Sequence, residues 1–325
     1  MKIGIISFAH MHAYSYANCL RQIDGVELTM IADESEERGR KMAQQFGTQF
    51  YKDYQELLAQ DVDAVVICSE NARHAEMVIA AAHAKKHILC EKPISTNVED
   101  AKKMIAACEQ NQVKLQIAFP VRFSTPVQRV KRMIDEDKLG RILTVRGTNR
   151  GRNPGGWFVD PELSGGGAVM DHTVHVIDIM RWYLKSEVRE VYAEIDTRFN
   201  DIPSDDCGLL MLEFENGVIA SHDPSWSRCK SFPTWGDVTM EIVGTGGTTH
   251  VDALAQNFGV YSDKTNQFGY RHWGDNSDLA LISDFVACIQ EQRTPSISGE
   301  DGLRAMEVAL AAYQSARTGQ PVFLR

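Results

Sequence analysis

Glu91-Lys92-Pro93 sets a lysine directly after a short apolar run at residues 87–90. Proline cannot donate a backbone hydrogen bond and biases the residue before it toward an extended backbone. A lysine held at the C-terminal end of a strand, above a parallel sheet, stands where open α/β folds take their ligands. Further along come Gly165-Gly166-Gly167, then Asp171-His172 and His175. Asp171 and His175 are four residues apart, so on a helix they share a face and can converge on one ligand. The glycines permit close passage of a ligand. An imidazole with an ordinary pKa of about 6.5 exchanges a proton near neutrality. Lys92 needs a lowered pKa to act as a base, and otherwise can polarise a hydroxyl or carbonyl oxygen as a cation. Alone, His175 reads equally as a core or capping histidine, and Lys92 as a solvated charge. Together the two sets suit proton and hydride chemistry on a small polar molecule.

These groups need elements to hold them. Residues 2–7 read as an apolar strand, and 13–23 as a helix with Tyr16 and Leu20 on one face. A strand at 26–32 ends at Asp33, and a helix at 34–46 stops at Gly47. Phe50 marks a short strand position, and Tyr54, Leu57 and Leu58 a small helix. The run VDAVVIC at 62–68 is apolar and β-branched, as in a strand covered on both faces. Helices at 73–84 and 97–110, with strands at 87–90 and 115–119, complete a pattern of parallel βα units.

Near residue 120 the period changes. After a helix at 127–135, longer and partly alternating strands are expected at 142–148, 190–199, 206–214, 218–226 and 238–244. Asn216-Gly217 separates two of them as a tight turn. A helix at 170–184 repeats Met170, Val174, Ile177, Met180 and Leu184 at helical spacing, and helices at 277–291 and 301–317 close the chain. The expected fold class is α/β. An N-terminal Rossmann nucleotide-binding domain spans 1–120. A C-terminal α+β domain on an open, mostly antiparallel sheet spans 121–325 and serves substrate binding and oligomerisation. Apolar residues on both alternation faces, as in Leu209-Leu210-Met211-Leu212, predict a homo-oligomer through the outer face of that sheet.

A dinucleotide turn ordinarily uses three glycines after the first strand. Here those places hold Ser7, Ala9 and His12. Backbone N–H groups do most of the phosphate binding, and small residues leave them accessible. His12 fits least well. Asp33 is placed to accept from the adenosine ribose and to repel a 2′-phosphate, with Glu34 adding charge, so NAD is favoured over NADP. The alternative is a doubly wound domain for another ligand, with Asp33 as a helix cap.

Asp171, His172 and His175 also have metal-ligand chemistry, but neighbours on a helix point about 100° apart. His172 is therefore expected to point away from the ligand, and no metal is expected. His10 and His12 suit loop solvation or nicotinamide-side contact. Arg122 can meet a substrate hydroxyl or carboxylate, or form a salt bridge. Trp157 can cover a substrate face or plug the domain junction. Trp226, Trp235, Tyr270 and Trp273 are unranked candidates for core, interface or pocket.

The chain has 325 residues, is 43% hydrophobic and carries a formal charge of -10. That balance fills two ordinary domains and argues against a nonspecific nucleic-acid or membrane surface. Seven cysteines without a CxxC pair read as reduced thiols. With no leader pattern at the N-terminus, the expected location is the cytoplasm.

The chain resembles the Gfo/Idh/MocA oxidoreductase family over essentially its whole length. Glu91-Lys92-Pro93 carries the resemblance most specifically, then Gly165-Gly166-Gly167 with Asp171, His175 and Asp178. Residues 298–304, SGEDGLR, form a weaker third match. The resemblance implies an NAD(P) Rossmann domain joined to an open, mostly antiparallel α/β domain, and oxidation of sugar or polyol hydroxyls or reduction of the matching carbonyls. It implies that Lys92 and His175 sit beside the reacting carbon and that Asp171 holds substrate hydroxyls. Ser69, Glu70, Asn71 and His74 match the family's cofactor-side loop, where Glu70 replaces a common proline. The cofactor-side set also takes in Ser7, Phe8, Ala9, His10 and Met11 of the turn, Asp33 and Arg38 beyond the second strand, and Glu91 with Lys92. Substrate contacts fall to Lys92, Arg122, Trp157, Asp171 and His175. Dimers or tetramers are implied. The leading expectation is an NAD-dependent dehydrogenase of a sugar, polyol or derivative. An enzyme that keeps its NAD and uses transient oxidation for elimination, epimerisation or glycoside cleavage is the alternative. A non-catalytic nucleotide sensor or partner-binding protein is a third.

Overall fold

In the computed structural model, which describes residues 1–324, the β-branched runs of the N-terminal region line up as one parallel sheet. Its elements are β1 (Lys2–Ile6), α1 (His12–Leu20), β2 (Glu27–Ala32), α2 (Glu36–Phe46), β3 (Gln49–Tyr51), α3 (Tyr54–Leu58), β4 (Ala64–Ile67), α4 (His74–His83), β5 (His87–Glu91), α5 (Val98–Gln110) and β6 (Leu115–Ala118). The strand order is β3-β2-β1-β4-β5-β6, which reverses direction at β1 and β4. Ligands of such sheets bind at the strand C-termini beside that reversal. Ile3, Ile5, Val65, Val66, Ile88 and Ile117 are wholly buried, as strands packed on both faces require. Polar side chains start the helices: Ser35 caps α2 by accepting from Arg38 N–H, and Asn97 caps α5 by accepting from Asp100 N–H. Gly47 ends α2 in the left-handed conformation.

The chain divides into two compact units. The first holds residues 1–120 and also takes in 162–165 and 278–306. The reason lies at β6. Ile117 N–H donates to Ile297 O, Gln116 bridges to Ser298, and the Gln116 amide donates to Asp284. The SGEDGLR motif is a helix start here: Ser298 N–H and Oγ both donate to Asp301 Oδ2, and Asp301 N–H donates back to Ser298 Oγ.

The second unit adds α6 (Thr125–Asp135) and β7 (Ile142–Gly151) and, past the short turn of helix α7 (Pro161–Ser164) that belongs chiefly to the first, α8 (Ala168–Leu184), β8 (Val188–Asp196), β9 (Cys207–Phe214), β10 (Ile219–Asp223), β11 (Gly236–Gly244), β12 (Gly247–Asp252), β13 (Asn257–Ser262) and β14 (Gln267–His272). Helix α9 (Ser277–Gln290) belongs chiefly to the first unit, α10 (Gly299–Thr318) runs from the first into the second, and β15 (Val322–Phe323) closes the chain. The second sheet has the order β12-β11-β7-β10-β9-β8-β15. Only the β7–β10 pair within it is parallel, so the sheet is mostly antiparallel as expected. The Asn216-Gly217 turn joins β9 to β10, with Gly217 at φ 83°.

Helix α8 packs against β7, β9 and β10. On β9 the alternation is clean: Leu210 and Leu212 are buried, whereas Leu209 is 64% and Met211 50% exposed. The β13–β14 hairpin forms a separate sheet carrying Phe258, Tyr261, Phe268 and Tyr270. No helix among the described residues is long and apolar enough to cross a membrane.

Candidate active site

The turn after β1 does without glycine by straining a serine. Ser7 takes φ 68°, the left-handed backbone that a glycine adopts without cost. Two bonds hold it: Ser7 N–H donates to Ala32 O at 2.7 Å, and its Oγ accepts from Ala9 N–H at 3.1 Å. Phe8 stacks on Phe46, Met11 is exposed at the start of α1, and His10 N–H donates to Cys68 O. These contacts hold the turn without the fingerprint glycines.

Asp33 departs from expectation. Its carboxylate is buried and accepts four bonds: from Phe8 N–H, Ser35 N–H and two nitrogens of Arg38. These fill the places at which a carboxylate usually accepts. A ribose hydroxyl reaches Asp33 only by displacing Arg38, so the charge argument for NAD over NADP loses much of its force. Arg38 also reaches Glu34 at 2.7 Å. Beside them lies a cavity of 140 Å³ lined by Ile6, Ala32, Asp33, Glu34, Arg73 and Met77. Lys52, Asp53 and Tyr54 line it as well, so charged groups outnumber the apolar Ile6, Ala32 and Met77.

The loop after β4 contains two buried acceptors without a hydrogen-bond partner, Glu70 Oε2 and Asn71 Oδ1. Buried acceptors of this kind call for a donor, and a dinucleotide carries ribose hydroxyls and a carboxamide. The residues present fit that group. Asn71 is fixed from its other end, where Nδ2 donates to Ser164 O at 2.8 Å. Ser69 is buried and donates to Glu70 O. His74, expected among the cofactor contacts, has a different place. It is wholly buried, with Nδ1 2.9 Å from Pro93 O and Nε2 3.3 Å from Ser69 O. Burial lowers its pKa and keeps the ring neutral. His74 therefore braces the Lys92-Pro93 segment against the loop.

Lys92 follows β5 directly, and its side chain is buried. Its backbone N–H donates to Glu91 Oε2 at 3.1 Å. Burial works against the Glu91 charge, but the neighbouring charges outweigh it, His12 through its hydrogen bond as well, and hold the carboxyl well below its usual range. His12 Nδ1 lies 3.0 Å from Glu91 Oε1.

In the second unit, Asp171 and His175 lie one turn apart on α8, both largely buried. Asp171 is gripped at one oxygen. Trp226 Nε1 donates to Asp171 Oδ2 at 3.3 Å, and His172 Nε2 lies 3.3 Å from the same atom. His172 is buried and engaged within the protein. Its Nδ1 lies 2.9 Å from Pro224 O, so the ring turns back along the helix to reach its neighbour. Trp226 also packs with Phe158 and Ala168, and Trp157 stacks on Phe158 with ring centroids 3.9 Å apart. An aromatic wall therefore adjoins the Asp171 carboxylate.

Arg122 forms the salt bridge that its type allowed. Its Nε donates to Asp178 Oδ2 at 2.8 Å and its Nη2 donates to Asp178 Oδ1, with both side chains buried. This bidentate pair fixes the helix turn that follows His175. The last of the three glycines is required by the protein's own packing. A Cβ on Gly167 would stand 1.9 Å from Asp205 O. Asp205 caps α8 by accepting from Gly167 N–H and Val169 N–H, and Tyr313 Oη donates to it at 2.7 Å. Neither residue was legible as part of the site, since Asp205 stands 38 residues from Gly167 and Tyr313 stands 146.

Comparison with known proteins follows the same division. Residues 1–119 match the oxidoreductase family with an NAD-binding Rossmann fold, and residues 127–250 match the GFO/IDH/MocA C-terminal domain. Myo-inositol 2-dehydrogenase of Thermotoga maritima is 30% identical over 97% of this chain and 96% of its own length. GenD2 from gentamicin A biosynthesis, solved in complex with NAD, matches with a TM-score of 0.91 at 25% identity, over 100% of this chain and 96% of that one. Levoglucosan dehydrogenase, in complex with NADH and levoglucosan, matches with a TM-score of 0.86 at 26% identity, over 99% of this chain and 99% of that one. Two domain matches in chain order, and relatives matched from end to end, agree with the fold and the Lys92 and α8 motifs: the chain belongs to the Gfo/Idh/MocA family of oxidoreductases.

Proposed function

We propose that the protein is an NAD-dependent dehydrogenase of a cyclic sugar, polyol or close derivative. The observation that carries this reading is Lys92, buried at the C-terminal end of β5 in a sheet of dinucleotide-binding order. The relatives' substrates, an inositol and an anhydrosugar, support the substrate class. NAD and NADH in the matched structures support the cofactor.

Bound, the dinucleotide would supply the two-electron acceptor. Glu70 and Asn71 would meet it in the first unit, and Ser7 would keep the turn open to its phosphates. Lys92 donates to the reacting oxygen, and the proton that leaves the hydroxyl passes through a Lys92–His175 relay in which the lysine hands one proton to the imidazole as it takes one up. A group in this role contributes roughly a hundredfold or more to rate. Asp171, held at Oδ2 by Trp226 and His172, accepts from a neighbouring substrate hydroxyl and sets the ring's orientation. The wall of Trp157, Phe158 and Trp226 covers an apolar sugar face.

The test is NADH formation across a panel of inositols, aldoses and anhydrosugars. Net turnover on at least one supports the reading. Isotope exchange or epimerisation without net NADH would instead favour the retained-cofactor alternative. Tight NAD binding with neither outcome would favour the sensor.

A homo-oligomer through the outer face of the second sheet goes with this proposal. The exposed row of Leu209, Met211 and Ile219 supports it. Light scattering should give a multiple of the 36.4 kDa chain at micromolar concentration, and the single-chain mass would refute it.

A further inference from the structure

His10, His12 and Glu91 bring their side-chain donor and acceptor atoms within 4.8 Å of one another, a group the reaction above does not use. Glu91 is wholly cut off from solvent, and a buried carboxylate needs a partner. His12, the first residue of α1, provides one through Nδ1. His10 stands edge-on to it, with ring centroids 4.4 Å apart and Nδ1 4.0 Å from Glu91 Oε1.

The two rings are not equivalent. His12 N–H donates to His10 Nδ1 at 3.2 Å, so that nitrogen keeps a lone pair and the His10 proton sits on Nε2. His12 has no such constraint. Burial opposes its charge, but the Glu91 charge and hydrogen bond prevail and raise its pKa. Tyr16 on α1, with Oη 3.4 Å from Nδ1, stays neutral because burial pushes its own pKa far up. Asp278 at the start of α9 favours the His12 cation, and Lys92 opposes it.

His12 also occupies the third glycine place of the phosphate turn. The backbone N–H that a dinucleotide would use there is already given to His10. Met11, at the N-cap of α1, accepts no hydrogen bond through its side chain, and the first turn holds no acidic residue. The His12 side chain is 32% exposed, whereas Glu91 is sealed, so one edge of the ring faces outward. We propose that His12 is a charged cofactor-binding residue: its imidazolium, anchored through Nδ1 to Glu91, offers Nε2–H to the pyrophosphate of the dinucleotide. This rests on the dinucleotide-binding reading and deepens it. The side-chain charge replaces what the fingerprint obtains from backbone alone.

The consequence is a proton linked to binding. An anion beside His12 favours the imidazolium, so affinity is full while His12 is protonated. It falls as pH rises through a pKa above the ordinary 6.5. Calorimetric titration of the full chain with NAD between pH of about 6 and 9, in two buffers of different ionisation heat, reads affinity and proton uptake together. Affinity should weaken about tenfold across the range, with a proton taken up where His12 titrates. His12→Gln should show neither effect, at a melting temperature lowered by the loss of the charged partner of Glu91. Glu91→Gln should move the fall to lower pH. Binding of NAD by the parent with no pH dependence and no proton uptake overturns the proposal and leaves the dinucleotide reading intact. Retained pH dependence in His12→Gln overturns it as well. Failure of both NAD and NADP to bind at any pH removes the dinucleotide reading and the proposal with it. If His12→Gln does not fold, the parent's proton count and Glu91→Gln decide.

Discussion

Arg38 holds both oxygens of Asp33, Nε to Oδ2 at 2.8 Å and Nη2 to Oδ1 at 2.8 Å. An acidic residue at this place ordinarily chooses NAD, and an arginine nearby accommodates the 2′-phosphate of NADP. Here the two are joined, and the choice turns on whether Arg38 lets go. Arg38→Ala should expose the Asp33 carboxylate and shift the NAD-to-NADP affinity ratio toward NAD by about tenfold. Asp33→Ser should shift it the other way. Competition calorimetry with both dinucleotides checks this, and an unchanged ratio in Arg38→Ala contradicts it.

Trp226 is expected to act through Asp171. Trp226→Phe keeps an aromatic ring against Phe158 but removes the N–H that reaches Asp171 Oδ2. Loss of one such hydrogen bond is worth about 1 kcal/mol, so KM for the polyol should rise about fivefold with NAD affinity unchanged. Steady-state kinetics separate the two constants. An unaltered KM would show that the tryptophan serves packing alone.

His222 on β10 links stability to acid. Burial takes its pKa down to about 3, so the folded protein resists protonating it while the unfolded chain binds a proton near pH 6.5. The stability this neutral ring contributes is full above that value and drains away as pH falls toward 3, on the order of 5 kcal/mol in total. His222→Gln should lose the part of the acid slope that this ring causes. Denaturant melts of both proteins between neutral and acid pH test the difference, and parallel slopes would contradict it.

Much of the architecture was legible from pattern. The β-branched runs such as residues 62–68 could only be strands covered on both faces, and Asn216-Gly217 could only be a tight turn. The exposed strands β12 and β14 were missed because neither buries enough apolar surface to impose an alternation. In the site, the shared helix of Asp171 and His175 followed from spacing. The Arg122–Asp178 clamp and the Asp205 cap did not, since each joins residues far apart in sequence. Ser7 shows another limit. Its left-handed backbone is one that serine seldom takes, so residue type alone gave no sign that the turn keeps its shape.

His175 is expected to contribute the pH dependence of turnover near neutrality. His175→Asn should leave the fold and NAD affinity intact, lower kcat by about a hundredfold and flatten the rise of rate with pH in the oxidative direction. NADH formation from a polyol substrate across neutral pH provides the check. A pH profile identical to the parent's would assign the proton to another group.

The most direct test of the account is Lys92→Met. The substitution keeps the length and apolar stem of the side chain and removes its charge and its proton. With a polyol substrate in hand, kcat and NAD affinity are measured on parent and variant under the same conditions. The account predicts unchanged NAD affinity, an unchanged melting temperature and a loss of kcat of about a hundredfold or more. A variant that binds NAD normally and turns over within about threefold of the parent would contradict it.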